Sequence, residues 1–194
     1  MSALLTRNKV QRELFEAARL ERVFDACFTA TLHTTLRGGA EEPLYQPATK
    51  SGDSHVLYYR ADYFASALHE VAHWCIAGAD RRQQVDFGYW YAPDGRSEVR
   101  QQEFEAVEVK PQALEWYFSR ACGYPFQLSM DNLDGGGKEL AGTSVFAGGV
   151  YEQARLWQSH GLAQRAGVFF AALCSEFGTL IAPRDLDFDL AELD

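Results

Sequence analysis

The chain has 194 residues, of which 47% are hydrophobic and 13% aromatic, so it is long enough for a core and too apolar to be disordered. Its formal net charge of −9 offers no basic stripe for a phosphate backbone, and we expect no direct binding to nucleic acid. The apolar runs are too short to span a bilayer, and the first residues lack a signal-peptide core, so we expect a cytoplasmic protein without membrane contact.

The length and the lack of a linker or repeat predict a single domain over residues 1–194. Four cysteines are scattered along the chain with no CxxC pair, each in an apolar or helical context. We therefore expect buried free thiols rather than disulfides or a thiolate metal site at Cys27, Cys75, Cys122 and Cys174.

In chain order, the first predicted element is a helix over residues 7–36, where apolar residues recur at helical spacing and Gly38-Gly39 follows as a terminator. Residues 41–47 are bounded by prolines and predicted to be irregular. The β-branched and aromatic run 55–59 predicts a strand. A helix over about 62–77 follows and ends at Gly78.

The second half of the chain alternates aromatic runs, helical patterns and Gly or Pro breaks. It predicts a strand over 85–91, helices over 97–107 and 111–122 interrupted by Pro111, a short strand over 125–129, a polar loop over 131–137, helices over 145–160 and 163–177, and a peripheral acidic tail over 183–189. These elements predict an α+β fold with a mainly helical core and a small sheet.

The most informative motif is His69-Glu70-Val71-Ala72-His73, an HExxH pattern inside the helix predicted over 62–77. A spacing of four places both imidazoles on one helical face, where both can reach a single metal ion. Glu70 lies about a quarter-turn away and can touch a ligand water or a reactant. The surrounding segment is so apolar that burying two imidazoles and a carboxylate without a bound ion would be costly, which favours a metal over a plain half-buried helix face.

The third ligand is expected from the acidic segment 103–113. HExxH metalloproteins of the Glu-ligand type take this ligand from a following helix, and a polar residue four positions later supports a histidine. Glu108 with Gln112 fits that arrangement, and Glu105, one turn earlier, is the alternative carboxylate. Because Pro111 disfavours a continuous helix, we expect Glu108 at a helix junction.

Two histidines and one carboxylate suit either hydrolytic zinc or oxygen-activating iron(II). In a zinc metallopeptidase, Glu70 would act as the general base on metal-bound water. The remaining histidines have ordinary surface or cap contexts and are not predicted ligands: His33, His55 and His160. Aromatic residues near the motif could line a channel, although core packing is the commoner role for such side chains: Tyr58, Tyr59, Trp74, Tyr89, Trp90 and Tyr91.

Beyond the motif, several longer strings resemble the bacterial elongation factor P hydroxylases, strongly over about residues 40–135. The strings are Glu42-Pro43-Leu44-Tyr45, His69 to Gly78, Val85 to Tyr91, Pro93-Asp94-Gly95-Arg96, Phe104-Glu105, Val107 to Leu114 and Gly123-Tyr124-Pro125-Phe126. They are far more specific than HExxH alone.

The resemblance implies a zincin-like core and a non-haem iron enzyme that hydroxylates a lysine side chain of translation elongation factor P, after that lysine has received a β-lysyl group. On this view Fe(2+) binds to His69, His73 and Glu108, although zinc or another divalent metal could replace it in purified protein. Glu70 is the predicted catalytic residue, and the sequence identifies no substrate-binding residue. A cytoplasmic zinc metallopeptidase remains the alternative.

Overall fold

The computed structural model describes residues 14–88, 98–129 and 139–193, with the backbone alone for 98–104 and 139–144. It has the predicted α+β composition. The helices are α1 (Ala17–Leu32), α2 (Phe64–Ile76), α3 (Glu98–Cys122), α4 (Glu139–His160) and α5 (Gln164–Phe177); the strands are β1 (Thr34–Ala40), β2 (Leu44–Gln46) and β3 (His55–Arg60). Short 3-10 turns lie at Arg81–Gln83, Val85–Gly88, Pro183–Asp185 and Leu190–Leu193.

The three strands form one sheet in the order β1-β3-β2, with β1 parallel and β2 antiparallel to β3. Alternate residues of this sheet are buried, so that Leu36, Leu57 and Tyr45 join the hydrophobic core. Strand β3 was predicted over 55–59 and is confirmed. Strand β2 lies in the segment that was predicted to be irregular.

The first helix was predicted to extend to residue 36, which is wrong. Helix α1 ends at Leu32, where His33 takes a left-handed conformation with φ 48°, and the chain continues as β1. Gly38, predicted as part of a helix terminator, lies within this strand. A Cβ at Gly38 would come within 2.6 Å of the Ala61 carbonyl oxygen, so only glycine fits this close approach of two backbones. Residues 7–13 lie outside the described part of the chain.

Helix α3 runs without a break through Pro111, which corrects the prediction of two helices. A proline inside a helix costs about 3 kcal/mol, because it removes one hydrogen bond and crowds the preceding turn. The residues that follow are buried against α2, α4 and α5, among them Trp116, Tyr117 and Phe118. Since each large buried side chain contributes about 1.5–3 kcal/mol, this packing outweighs the proline.

The prediction of a strand over 85–91 is also wrong for residues 85–88, the part of this segment that the structure describes. Val85–Gly88 form a tight turn in which Asp86 and Phe87 both have positive φ, 49° and 57°. The Asp86 carboxylate accepts a hydrogen bond of 2.8 Å from the backbone N–H of Tyr45, and Phe87 stacks on the Tyr45 ring at 4.4 Å. The turn therefore closes over β2. Residues 89–91 and the turn predicted over 92–96 lie outside the described residues.

The segment predicted as a third short strand, 125–129, has no regular structure. The loop predicted over 131–137 lies outside the described residues. The two late helices are confirmed as α4 and α5, with α4 beginning earlier than predicted.

The acidic tail over 183–189 was predicted to be peripheral, and this is wrong for its apolar residues Leu186 and Phe188. Leu186, Phe188 and Leu193 are buried, and Phe188 packs edge-on against Trp116 at 4.6 Å. The end of the chain therefore belongs to the core.

The buried side chains form one hydrophobic cluster that receives one face of α2. Trp74 of this helix is fully buried and packs against Phe28 and Phe24 at 4.7 and 5.0 Å. The predicted free cysteines are confirmed: Cys75, Cys122 and Cys174 are buried and Cys27 is half-buried. None of the described helices is long and apolar enough to cross a membrane.

Candidate metal centre

The HExxH motif lies in the second half of α2, which packs its apolar face into the core and turns the motif toward α3. Val71 and Ala72, between the motif's polar residues, are fully buried, while His69, Glu70 and His73 are half-buried. The four-residue spacing brings the two imidazole rings to 4.7 Å between centroids, with their Nε2 atoms 3.0 Å apart. Both Nε2 atoms therefore point to the same place, as the spacing predicted.

Glu108 of α3 completes this arrangement. Its side chain is only 3% exposed, and its two carboxylate oxygens lie 3.3 Å from His69 Nε2 and 3.3 Å from His73 Nε2. One donor atom from each of the three residues lies within 4.8 Å of the others. Two nitrogens and a carboxylate oxygen that converge in this way match the donor set of zinc and non-haem iron(II) sites, so these residues fit a metal ion.

The position of Glu108 on α3 differs from the expected one. It lies inside a continuous helix, not at a helix junction. The alternative carboxylate, Glu105, lies one turn earlier and is half-buried, and it does not belong to the converging group found among the described residues. The structure therefore brings Glu108, and not Glu105, to the two histidines.

The charges at this centre stabilise one another. Burial would raise the pKa of the Glu108 carboxyl, but the neighbouring imidazoles outweigh it and hold that pKa well below its ordinary value. Burial would likewise lower the pKa of His69, yet the hydrogen bonds that the carboxylates of Glu108 and Glu115 accept from the ring outweigh burial and raise this pKa well above the usual range. Both shifts arise from the contacts between the imidazoles and the two carboxylates, and a divalent ion at the same place would supply positive charge to balance those carboxylates.

Glu115 was not predicted from the sequence. It lies two turns after Glu108 on α3, is 7% exposed, and its Oε2 is 2.9 Å from His69 Nδ1. Gln112, which was expected to support a histidine, instead pairs with the backbone of Ser129 through bonds of 2.6 and 3.0 Å. The available signal was the seven-residue spacing from Glu108, which returns a side chain to nearly the same helical face.

Glu70 lies beside the donor group without belonging to it. Burial raises the pKa of its carboxyl, His73 and His69 oppose this rise, and the charges of Glu108 and Asp86 add to it. A carboxyl with a raised pKa next to a reaction centre is suited to exchange protons with a bound molecule.

The other candidate residues lie elsewhere. His33 ends α1, His55 accepts a hydrogen bond of 3.1 Å from the Ala48 backbone N–H, and His160 lies at the end of α4. Of the aromatic residues, Trp74 is fully buried in the core, and the Tyr59 hydroxyl donates a hydrogen bond of 2.9 Å to Glu21. The channel residues predicted over 89–91 fall outside the described residues.

Fold and site together define a class: an α+β protein in which an HExxH helix and the following long helix present two imidazoles and one carboxylate to a possible metal ion. The family model for elongation factor P hydroxylase matches residues 23–186. A protein of Haemophilus influenzae named elongation factor P lysine hydroxylase is 43% identical over 172 residues, which cover 89% of this chain and 92% of that protein. The chain belongs to the elongation factor P hydroxylase family, and the resemblance found in the sequence is confirmed.

Proposed function

We propose that this protein hydroxylates a lysine side chain of elongation factor P in the cytoplasm, at a metal centre held by His69, His73 and Glu108. The observation that carries the proposal is the convergence of these three donors in a member of this family. The relative in Haemophilus influenzae is named for the same substrate and reaction. Residues 1–194 would form a single catalytic domain.

We propose iron(II) as the metal, because hydroxylation requires a metal that activates dioxygen and two histidines and one carboxylate leave open positions for small ligands on such an ion. When bound, iron(II) would supply the activation of dioxygen, so that one oxygen atom enters a C–H bond of the lysine side chain and the other leaves as water, with two electrons from an external reductant and two protons.

The chain's own residues would hold and orient the reacting groups. His69 and His73 would bind the metal ion through their Nε2 atoms. Glu108 would bind the same ion through a carboxylate oxygen and balance part of its positive charge. Glu70, which follows His69 on α2, would hold or deliver a proton at its carboxylate oxygens.

The net charge of −9 would favour a cationic substrate, because complementary charge speeds encounter and fixes orientation. A lysine that carries a β-lysyl group brings more positive charge than an unmodified lysine. We therefore propose that the β-lysylated factor is the preferred substrate. A site built to bind the added amines would leave its own polar groups unpaired with the unmodified factor, so that form should react at least about tenfold more slowly.

The test is intact-mass analysis of β-lysylated elongation factor P after incubation with the purified protein, iron(II), a reductant and isotopically labelled dioxygen. One labelled oxygen atom per molecule is expected, and none with His73→Ala or without dioxygen. The unlysylated factor run in parallel tests the substrate preference. If the mass of the lysylated factor stays unchanged with the iron-loaded protein, the proposal is overturned. Cleavage of peptides by the zinc-loaded protein would support the metallopeptidase in its place.

A further inference from the structure

We propose that Glu115 is a positioning residue that holds the His69 ring with its proton on Nδ1 and the lone pair of Nε2 turned toward the metal position. The inference rests on the proposed metal centre, though not on the identity of the substrate. Its basis is the contact of 2.9 Å between Glu115 Oε2 and His69 Nδ1. The opposite ring nitrogen, Nε2, lies 3.3 Å from Glu108.

The two carboxylates come from one helix and contact the two nitrogens of one ring. Glu108 and Glu115 are seven residues apart on α3, which places them about 10 Å apart along the helix axis. The His69 ring lies between them. A rigid helix therefore fixes both the direction and the rotation of this imidazole, because a ring turned over would place carbon atoms where its two nitrogens lie and would lose both contacts.

The two histidines of the motif are not held alike. His73 contacts Glu108 and His69 through Nε2, and within the described residues only His69 has a carboxylate at its Nδ1. The proposal is therefore specific to His69. Neutral imidazole carries one proton, so an acceptor at Nδ1 is what leaves Nε2 free as a ligand.

Fold stability alone is a weak reason for a carboxylate at this position. Glu115 is 7% exposed between the buried neighbours Leu114 and Trp116. A buried charge is costly to desolvate, and an apolar residue of similar volume often serves stability equally well. At the metal centre, in contrast, a second carboxylate would make His69 a stronger metal ligand. Together with Glu108 it would also supply two negative charges that balance a divalent cation.

The first experiment measures the affinity of the metal-free protein for Zn²⁺ by competition with a chelating dye. Glu115→Leu removes the acceptor while filling the same space, and should weaken Zn²⁺ binding about 10–100-fold. Glu115→Gln keeps an acceptor oxygen for Nδ1–H and should recover most of this loss. The matched control is Gln112→Leu, which changes a buried polar residue of the same helix that bonds Ser129 instead of a histidine, and Zn²⁺ affinity should stay within about threefold.

The second experiment observes the proton itself. In the zinc-loaded protein, nitrogen-detected histidine NMR should show a slowly exchanging Nδ1–H for His69, kept in Glu115→Gln and Gln112→Leu and lost in Glu115→Leu. The proposal is overturned if wild type lacks this signal, if Glu115→Leu binds Zn²⁺ within about threefold of wild type, or if Glu115→Gln recovers nothing. If Glu115→Leu does not fold, the test rests on two results: the Nδ1–H signal of His69 in the wild-type protein and its retention in Glu115→Gln. Neither readout involves hydroxylation, so a failed substrate assignment leaves this test intact.

Discussion

At the scale of single residues, the charged groups of the centre form a continuous line of contacts. Glu115 contacts one nitrogen of His69, Glu108 contacts the other, and the second oxygen of Glu108 contacts His73. Each imidazole therefore has a carboxylate beside it. Removing Glu108, which contacts both rings, would leave each imidazole without this carboxylate, and such a loss is costlier at a buried position than at the surface.

The two candidate carboxylates of α3 can be separated by their metal affinity. Glu108→Ala should weaken Zn²⁺ or Fe²⁺ binding by more than about 100-fold, because it removes a donor, and even supporting residues are worth about 10–100-fold. Glu105→Ala, one turn earlier, should change affinity only a few-fold. Metal titration of both variants under anaerobic conditions measures the difference. The reverse order would mean that the metal uses the carboxylate one turn earlier.

Glu70 is predicted to act in turnover and not in metal retention. Glu70→Gln preserves the shape of the side chain and removes its ability to exchange a proton. Metal content should therefore stay at the wild-type level while the rate of hydroxylation falls about 10²–10⁴-fold. Metal analysis and the mass assay on the same sample measure both quantities. Full activity in Glu70→Gln would leave Glu70 with a purely structural role.

At the scale of elements, the end of α2 depends on a side chain from α5. The Arg165 guanidinium donates hydrogen bonds of 3.0 Å to the carbonyl oxygens of Trp74 and Cys75, and it also bonds Ala77. It lies over the Trp74 ring at 4.8 Å. These carbonyls at the C-terminus of α2 lack helical partners and carry partial negative charge, so a cation stabilises them. The contact fixes the helix immediately after His73.

Arg165→Ala should lower the free energy of unfolding by about 2–4 kcal/mol, since several carbonyls lose a charged donor at once. All three bonds come from one nitrogen, Nη2, and Arg165→Lys, which keeps the charge on a single nitrogen of different reach and without the planar group over Trp74, should fall between wild type and alanine. Urea unfolding of the metal-free proteins gives these values. Arg22→Ala, at a single helix-surface contact with the Ala18 carbonyl, serves as the control and should change stability by less than about 0.5 kcal/mol. An equally small effect at Arg165 would contradict the capping role.

At the scale of the whole molecule, the chain end closes the core against α3. Phe188 is 3% exposed and contacts both Trp116 and Tyr117, at 4.6 and 4.7 Å between ring centroids. Arg120 of α3 adds an ion pair to Glu192 near the last residues. The tail thus packs on the same helix that carries Glu108 and Glu115, on its later turns.

Phe188→Ala should destabilise the protein by about 3–5 kcal/mol, the usual range for a buried phenylalanine replaced by alanine. The comparison is Leu190→Ala, two residues later and 42% exposed, which should cost less than about 1 kcal/mol. Thermal and urea unfolding measure both. A loss at Phe188 no larger than that at Leu190 would show that the tail adds little to the core.

The sequence by itself determined the features that depend on local spacing. A four-residue interval within one helix places His69 and His73 on the same face regardless of what the helix packs against. Helices α4 and α5 and strand β3 follow from runs of apolar residues with clear breaks. The α+β composition and the family resemblance follow from the same local strings.

The tertiary structure alone decided what depends on contacts between distant segments. Residues 34–40 become a strand because β3 lies beside them, and α3 continues through Pro111 because burial of the following residues outweighs the lost hydrogen bond. Asp86 takes an unfavourable backbone conformation because Tyr45 N–H binds its carboxylate. Glu115 meets His69 across 46 residues of sequence, and no local pattern specifies that distance, since it is set by how α2 packs on α3.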